Sequence, residues 1–186
     1  QRATSEQFLL FSTFLKKIDG MILVVPGNHD IPLHNFFSRL FSPFKRYNRY
    51  VSNNLTSQFE NNRVRILGVN SVDPSKIKNG KLSSATLSYI KSYFEPSFNG
   101  INILFFHHNF DYLEGLHKPL ENYQLFLNYL KDSPIHIVST GHSHYANITL
   151  IEKNNHRSCL ILHAGSLLCL RKKDGVNSYY SIETNE

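Results

Sequence analysis

Apolar residues along the chain recur with two different spacings. In residues 5–18, 82–94 and 119–130 they return every three or four positions, which is the spacing of one face of a helix. Short apolar runs typical of buried strands lie between these segments. The runs are residues 21–25, 63–69, 101–106, 135–138, 148–152 and 159–162, with 179–182 as a candidate last strand. Residues 33–49 are aromatic and basic, and we predict a helix and a loop there.

This alternation of strands and helices predicts an α/β fold, and a length of 186 residues suits one domain. In open α/β sheets, ligand sites lie outside the carboxyl ends of the strands. Three predicted strands are followed there by potential metal ligands, in the sequences GNHD at 27–30, HH at 107–108 and GHSH at 141–144. One such loop alone is weak support, because Pro-Gly-Asn-His-Asp is also typical of a turn. Three loops together predict a shared site.

The residue types in these loops favour a particular kind of metal site. Imidazole nitrogens and amide or carboxylate oxygens suit Mn, Fe and Zn ions. Two histidines separated by one residue, as His142 and His144 are, can point to different ions when a preceding Gly lets the backbone turn. Two ions about 3.5–4 Å apart stabilise both the attacking and the leaving oxygen of an in-line displacement. The pattern therefore favours a dinuclear site.

Taken together, the motifs resemble those of the calcineurin-like metallophosphoesterase superfamily, which run D-x-H, G-D, G-N-H-[DE], H and G-H-x-H. The sequence is most similar to the branch that contains the class III cyclic nucleotide phosphodiesterases. GKLS at 80–83 resembles the G-x-L segment of that branch, and HHN at 107–109 resembles its H-H-P element with Asn109 in place of Pro. HAGS at 163–166 resembles its N-A-G-S element with His163 in place of Asn. The resemblance implies a four-layer α/β/β/α sandwich.

The resemblance also implies a set of metal ligands. Asn28, through its side-chain oxygen, would bind one ion together with His107 and His142. His144 would bind the other ion. The complete domain would hold two divalent transition metal ions, Mn, Fe or Zn.

The residues implied in catalysis follow Asn28 directly. His29 would face the substrate and protonate the leaving-group oxygen, and Asp30 would orient it and stabilise its charge. The alternative for Asp30 is a turn residue that also caps a helix. His108 has two interpretations, because it could support the site or contact the substrate.

Two motifs of the superfamily are missing from the sequence. It contains no D-x-H and no G-D pair, and its only methionine is Met21. In the superfamily these motifs precede the segment that corresponds to residues 5–18, and they supply the remaining ligands of the second ion. We therefore expect residues 1–186 to be the C-terminal two-thirds of a calcineurin-like phosphoesterase domain, incomplete at the N terminus. We expect such a chain to bind one ion weakly.

The activity implied for a complete domain is phosphoester hydrolysis, as a phosphodiesterase or a phosphatase, in which a metal-bridging hydroxide attacks phosphorus. The expected substrate is a small phosphoester such as a nucleotide. A nuclease is the first alternative, because residues 36–50 interleave Arg39, Lys45, Arg46 and Arg49 with Phe and Tyr, a composition that can follow phosphates and stack on bases. Against this, the segment could be a solvated basic face. A second alternative is a non-catalytic scaffold.

Composition narrows the remaining possibilities only a little. The formal charge of +6 suits a protein that handles anions, but it equally suits solubility. No apolar run approaches the roughly 18 residues of a membrane-spanning helix, so we expect none. With two cysteines and no signal segment, a cytoplasmic location is the default expectation.

Overall fold

The computed structural model describes residues 3–33, 35–111, 118–167 and 176–184. The described residues form five helices and six strands, and the predicted α/β class is confirmed. The helices are α1 (Ser5–Leu15), α2 (Phe36–Phe41), α3 (Lys45–Tyr50), α4 (Ser84–Tyr93) and α5 (Tyr123–Asp132). The strands are β1 (Ser57–Glu60), β2 (Val64–Gly68), β3 (Ile101–Phe105), β4 (Ile137–Thr140), β5 (Asn147–Glu152) and β6 (Ser158–His163).

All six of these strands belong to one mixed sheet in the order β1-β2-β3-β4-β6-β5. Strands β2, β3, β4 and β6 are parallel neighbours, and β1 and β5 run antiparallel at the two edges. Helices α4 and α5 connect β2 to β3 and β3 to β4, as crossover connections between parallel strands do. The sheet is consistent with the metallophosphoesterase fold that the resemblance implies. Its four parallel strands all end at the same edge.

One face of the sheet carries the main core. Leu67, Leu104, Val138 and Ile161 lie side by side on the four parallel strands and are fully buried. Helices α4 and α5 cover them with Leu87, Ile90, Phe126 and Leu130. Immediately after β3, Phe106 packs edge-on against Phe126 with ring centroids 5.4 Å apart. This contact anchors the start of the loop that follows β3 in the hydrophobic core.

The helix predictions are confirmed, with different ends. Helix α1 begins at Ser5 because Thr4 and Gln7 form a capping box, and it ends three residues before the predicted Ile18. Helix α4 is capped by the Ser83 side chain, which accepts a hydrogen bond from the backbone of Thr86. Helix α5 begins at Tyr123 and not at residue 119. Residues 33–49 contain α2 and most of α3, so this segment holds two short helices.

Five strand predictions are confirmed as β2, β3, β4, β5 and β6, each within two residues at either end. The strand predicted at residues 21–25 is wrong, because these residues carry no strand in the structure. The backbone N–H of Val24 donates to the Ser57 hydroxyl at 3.0 Å, and Met21 stays exposed. The candidate strand at residues 179–182 is also wrong, because these residues carry no strand in the structure. Tyr180 is held instead by its hydroxyl, which donates to the carbonyls of Asn147 and His163. Strand β1 was not predicted.

A membrane-spanning helix was not expected. Among the residues that the structure describes, no helix has the length and apolar character needed to cross a bilayer.

Candidate metal centre

The two histidines after β3 begin the site. Phe106 is buried below the sheet edge, and His107 and His108 follow with their rings nearly perpendicular at 85°. The His108 backbone N–H donates to the Ser71 hydroxyl at 3.2 Å, and the His108 Nδ1 lies 2.9 Å from the same oxygen. Ser71 comes shortly after the end of β2, so neighbouring parallel strands fix this histidine.

Three side chains from distant loops converge above the sheet edge. The His107 Nε2 lies 2.9 Å from the Asn28 Oδ1 and 3.2 Å from the His142 Nδ1. The Asn28 amide is oriented because its Nδ2 donates to the carbonyl of Ile77 at 3.3 Å, which leaves the Oδ1 directed at His107. Two ligand atoms that each lie about 2.1 Å from an ion, at right angles, are about 3 Å apart. The two distances from the His107 Nε2 therefore suit ligands of one transition metal ion.

The third histidine near this point is His108. The ring nitrogens of His107, His108 and His142 lie within 4.8 Å of one another, which is close enough for a shared metal ion. His108 is almost fully buried, and its ring centroid is 4.7 Å from that of His142. The structure therefore places His108 beside the three converging side chains, and both of its predicted interpretations stay open.

Two motif glycines are needed because histidine rings occupy the space beside them. A Cβ added at Gly27 would lie 2.8 Å from the ring of His107. A Cβ added at Gly80 would lie 2.2 Å from the ring of His108. Both distances are far inside van der Waals contact, so the glycines of GNHD and GKLS allow these histidines to pack at the site.

The GHSH loop turns sharply through its own histidines. His142 has φ 68° and His144 has φ 54°, both in the left-handed region that non-glycine residues seldom adopt. The hydrogen bond from the Ser143 N–H to the Gly141 carbonyl, at 2.7 Å, closes the turn between them. Left-handed residues in a loop of this kind are typical of functional sites, where surrounding contacts hold them.

The electrostatics of the centre keep His107 neutral. Burial lowers the pKa of His107 well below its usual value, and the neighbouring His108, His142, His29 and His144 lower it further. A neutral imidazole has the free lone pair that a metal ion requires. The same effect shows that His29 and His144, the predicted acid and the predicted ligand of a second ion, lie within electrostatic range of the centre.

Asp30 closes the turn of the GNHD loop. Its Oδ2 accepts a hydrogen bond from the Gly27 N–H at 2.8 Å, and its own N–H donates to the Gly27 carbonyl at 3.0 Å. Burial raises the pKa of Asp30, and the Gly27 hydrogen bond opposes the rise. These two hydrogen bonds with Gly27 are those expected of a turn residue. That Asp30 also orients His29 stays a prediction.

Another buried histidine, His163, was missed as a site residue by sequence reasoning. The His163 Nδ1 lies 2.9 Å from the Thr140 hydroxyl, and its Nε2 lies 2.9 Å from the Asp111 Oδ2. These contacts join the ends of β4 and β6 to the loop after β3. Thr140 precedes His142 by two residues, so the contacts lie close to the site in sequence. A histidine at the end of a predicted strand was a visible signal, but its partners are distant in sequence.

With this geometry known, comparison with other proteins identifies the class. The model of the calcineurin-like phosphoesterase family matches residues 2–146, so the chain belongs to this family. The membership of the superfamily that the motifs predict is thereby confirmed. Among curated proteins, the chain is 28% identical over 156 residues to the probable glycerophosphodiester phosphodiesterase GpdQ of Arcobacter nitrofigilis. The matched region covers 81% of this chain and 55% of that protein, so the chain spans about half the length of this relative.

Proposed function

We propose that the protein is a metal-dependent hydrolase that acts on phosphodiesters of small alcohols. The observation that carries this proposal is the convergence of the Asn28 Oδ1, the His107 Nε2 and the His142 Nδ1 at the carboxyl edge of the sheet. Family membership supports phosphoester hydrolysis, and similarity to a probable glycerophosphodiester phosphodiesterase supports a diester over a monoester.

The residues present suit a transition metal. Asn28, His107 and His142 would hold one ion, and His144 would contribute to a second; Mn, Fe and Zn all accept this set of nitrogen and oxygen ligands. When bound, such ions neutralise charge on the phosphoryl oxygens and lower the pKa of a water nucleophile. The neutral state of His107 and the hydrogen-bonded amide of Asn28 prepare these ligands before an ion arrives.

His29 is the proposed general acid. Water adds to phosphorus in line and loses one proton to solvent, the phosphorus–oxygen bond to the alcohol breaks, and the His29 imidazolium gives its proton to the departing alkoxide. The products are a phosphomonoester and the alcohol, and His29 regains a proton from solvent. A proton transfer of this kind typically contributes about 10²–10⁴-fold to the rate. Asp30 keeps the loop that carries His29 in place through its hydrogen bonds with Gly27.

Paired variants of the full-length protein test the proposal. His29→Ala should lose about 10²–10⁴-fold in kcat on a diester with a poor leaving group while retaining its metal. His142→Ala should lose the metal itself. His156→Ala is a matched control, because the His156 side chain is exposed and pairs with Glu152 on the edge strand β5. Metal content would be measured by atomic emission. Full activity of His29→Ala on that substrate would contradict the general-acid role.

The nuclease alternative is less well supported than a small diester. Of the four basic residues in the segment that suggested it, Arg39 is buried and donates to the carbonyls of Pro32 and Pro74. Arg46 donates to the carbonyl of Ala3 at 2.6 Å. Two of the four cations are thus engaged within the fold, so fewer of them are available to follow a phosphate chain.

A further inference from the structure

Helix α2 has its polarity reversed relative to an ordinary surface helix. Its one charged residue, Arg39, is only 6% exposed and donates to the carbonyls of Pro32, Pro74 and Lys76. Its large apolar residues face outward, with Phe36, Phe37, Leu40 and Phe41 exposed by 68%, 73%, 51% and 75%. Surface helices normally bury the apolar stripe and expose the charges. We call these four side chains the α2 patch.

Basic residues lie directly beside the α2 patch. A groove of about 540 Å³ is lined by Phe37 and Phe41 and also by Lys45, Arg46 and Arg49. The guanidinium of Arg49 lies 5.4 Å from the ring centroid of Tyr50, which also lines the groove. Clustered exposed Phe and Leu next to Lys and Arg is the composition of a helix that lies in the interface of an anionic membrane.

We infer that the α2 patch docks the protein on the surface of an anionic phospholipid bilayer. Phe37 and Phe41 enter the boundary between headgroups and acyl chains, while Lys45 and Arg49 meet lipid phosphates in the groove beside them. This is peripheral binding and requires no membrane-spanning helix. It is also independent of hydrolysis, because no side chain of the metal centre takes part.

Charge argues for a membrane over a second copy of the chain. The formal charge is +6, and a face-to-face pair through the α2 patch would bring two sets of Lys45, Arg46 and Arg49 together. Like charges close together across an interface oppose association. An anionic bilayer instead offers an apolar layer and negative charge side by side, which matches both halves of this surface.

The ring geometry argues for lipid over single-stranded nucleic acid. Base stacking needs aromatic faces that are open along a basic groove. Phe36 and Phe37 are packed edge to face, with centroids 6.0 Å apart and planes at 80°, and Leu40 offers no ring. Such a surface can enter an acyl layer but presents few faces to a row of bases.

Vesicle co-sedimentation of the full-length protein tests the inference. The protein should bind vesicles of phosphatidylcholine containing one third phosphatidylglycerol, and bind pure phosphatidylcholine much less. Phe37→Ser with Phe41→Ser should weaken binding about tenfold or more, because two large apolar side chains lose their contact with the acyl layer. Lys45→Gln with Arg49→Gln should weaken it about fivefold per charge, and added salt should have the same effect.

A matched pair of controls separates this patch from general surface hydrophobicity. Leu125→Ser with Leu150→Ser removes exposed apolar side chains on α5 and on the edge strand β5, and vesicle binding should stay unchanged. All variants should hydrolyse a water-soluble diester like wild type if the proposed function holds. If the wild-type protein did not hydrolyse the diester, the proposed function would be contradicted, and the result of the vesicle-binding experiment would still stand.

Three outcomes would overturn the inference. The first is failure of the wild-type protein to bind the anionic vesicles. The second is equal binding by the Phe37→Ser/Phe41→Ser variant. The third is evidence that the α2 patch binds something other than lipid, while the Phe37→Ser/Phe41→Ser variant binds vesicles as wild type does. A changed oligomeric state in sedimentation velocity would indicate a second copy of the chain, and a changed affinity for single-stranded DNA would indicate nucleic acid.

Discussion

At Gly27 the backbone runs against the imidazole of His107, and this contact makes a residue-scale prediction. A methyl group at position 27 would sit 2.8 Å from the ring, so Gly27→Ala must displace His107 from Asn28 and His142. Shifting one ligand out of place typically costs about 10–100-fold in metal affinity. Calorimetric titration of Mn²⁺ into the full-length variant would measure the loss.

Gly141→Ala is the matched control for this change. It lies next to His142, but a Cβ there would meet the His107 carbonyl at 3.6 Å and the His107 Nδ1 at 3.9 Å, and both are ordinary van der Waals contacts. Its metal affinity should stay close to that of wild type. If both variants lost affinity equally, disturbance of the loops in general would explain the result, and the specific contact between Gly27 and His107 would not.

The residues of the centre could be nominated from sequence, but their contacts could not. A glycine followed by Asn and His after an apolar run indicates a ligand loop, and the convergence of Asn28 with His107 and His142 agrees with that expectation. Ser71 and Asp111 carried no comparable signal. They matter only because the parallel strands bring them beside His108 and His163.

At the scale of the elements, β6 contains a titratable group inside the core. Burial raises the pKa of Cys159 to about 11 from 9.0, against the opposing influences of Lys153 and of a hydrogen bond with Val138. Above pH 9 the unfolded chain therefore loses this proton before the folded one does, and folding stability must fall as the pH rises toward 11.

Cys159→Ala isolates this effect. The stability advantage of wild type over the variant should shrink by about 1 kcal/mol between about pH 9 and pH 10, measured by urea unfolding. Lys153, whose pKa is lowered by its own burial, contributes with the opposite sign, but it is present in both proteins. An advantage that stayed constant over this range would show that the thiol does not titrate with folding.

Element types were predictable wherever the apolar spacing repeated. Helices α1, α4 and α5 and the strands β2 to β6 follow from periodicity, because core burial against the sheet demands it. The strand predicted at residues 21–25 was wrong, because apolar residues indicate burial but do not show whether another strand lies alongside to pair with them. There Ser57 supplies the hydrogen bonds to Val24 that a neighbouring strand would otherwise provide. Strand β1 is only four residues long and gives too little pattern to detect.

At the scale of the whole molecule, the metal centre links parts of the chain that the sheet alone does not join. Asn28 lies 79 residues from His107, and His142 lies 35 residues beyond it. His107 and His142 follow neighbouring parallel strands, so the sheet itself brings them together. Asn28 reaches them from a segment without strand pairing, held by the Ile77 carbonyl and by the Gly27–Asp30 turn. An ion bound by all three would therefore restrain the GNHD loop against the sheet.

This arrangement predicts that metal binding stabilises the folded protein. A ligand that binds only the native state adds about 2.7 kcal/mol at a concentration of one hundred times its Kd. Thermal unfolding should therefore shift upward with Mn²⁺ and return to its starting value with a chelator, whereas Ca²⁺, which prefers oxygen ligands, should have little effect. His107→Ala should abolish the shift and His156→Ala should preserve it. An equal shift in His107→Ala would mean that the ion binds elsewhere and that the three converging side chains do not form its site.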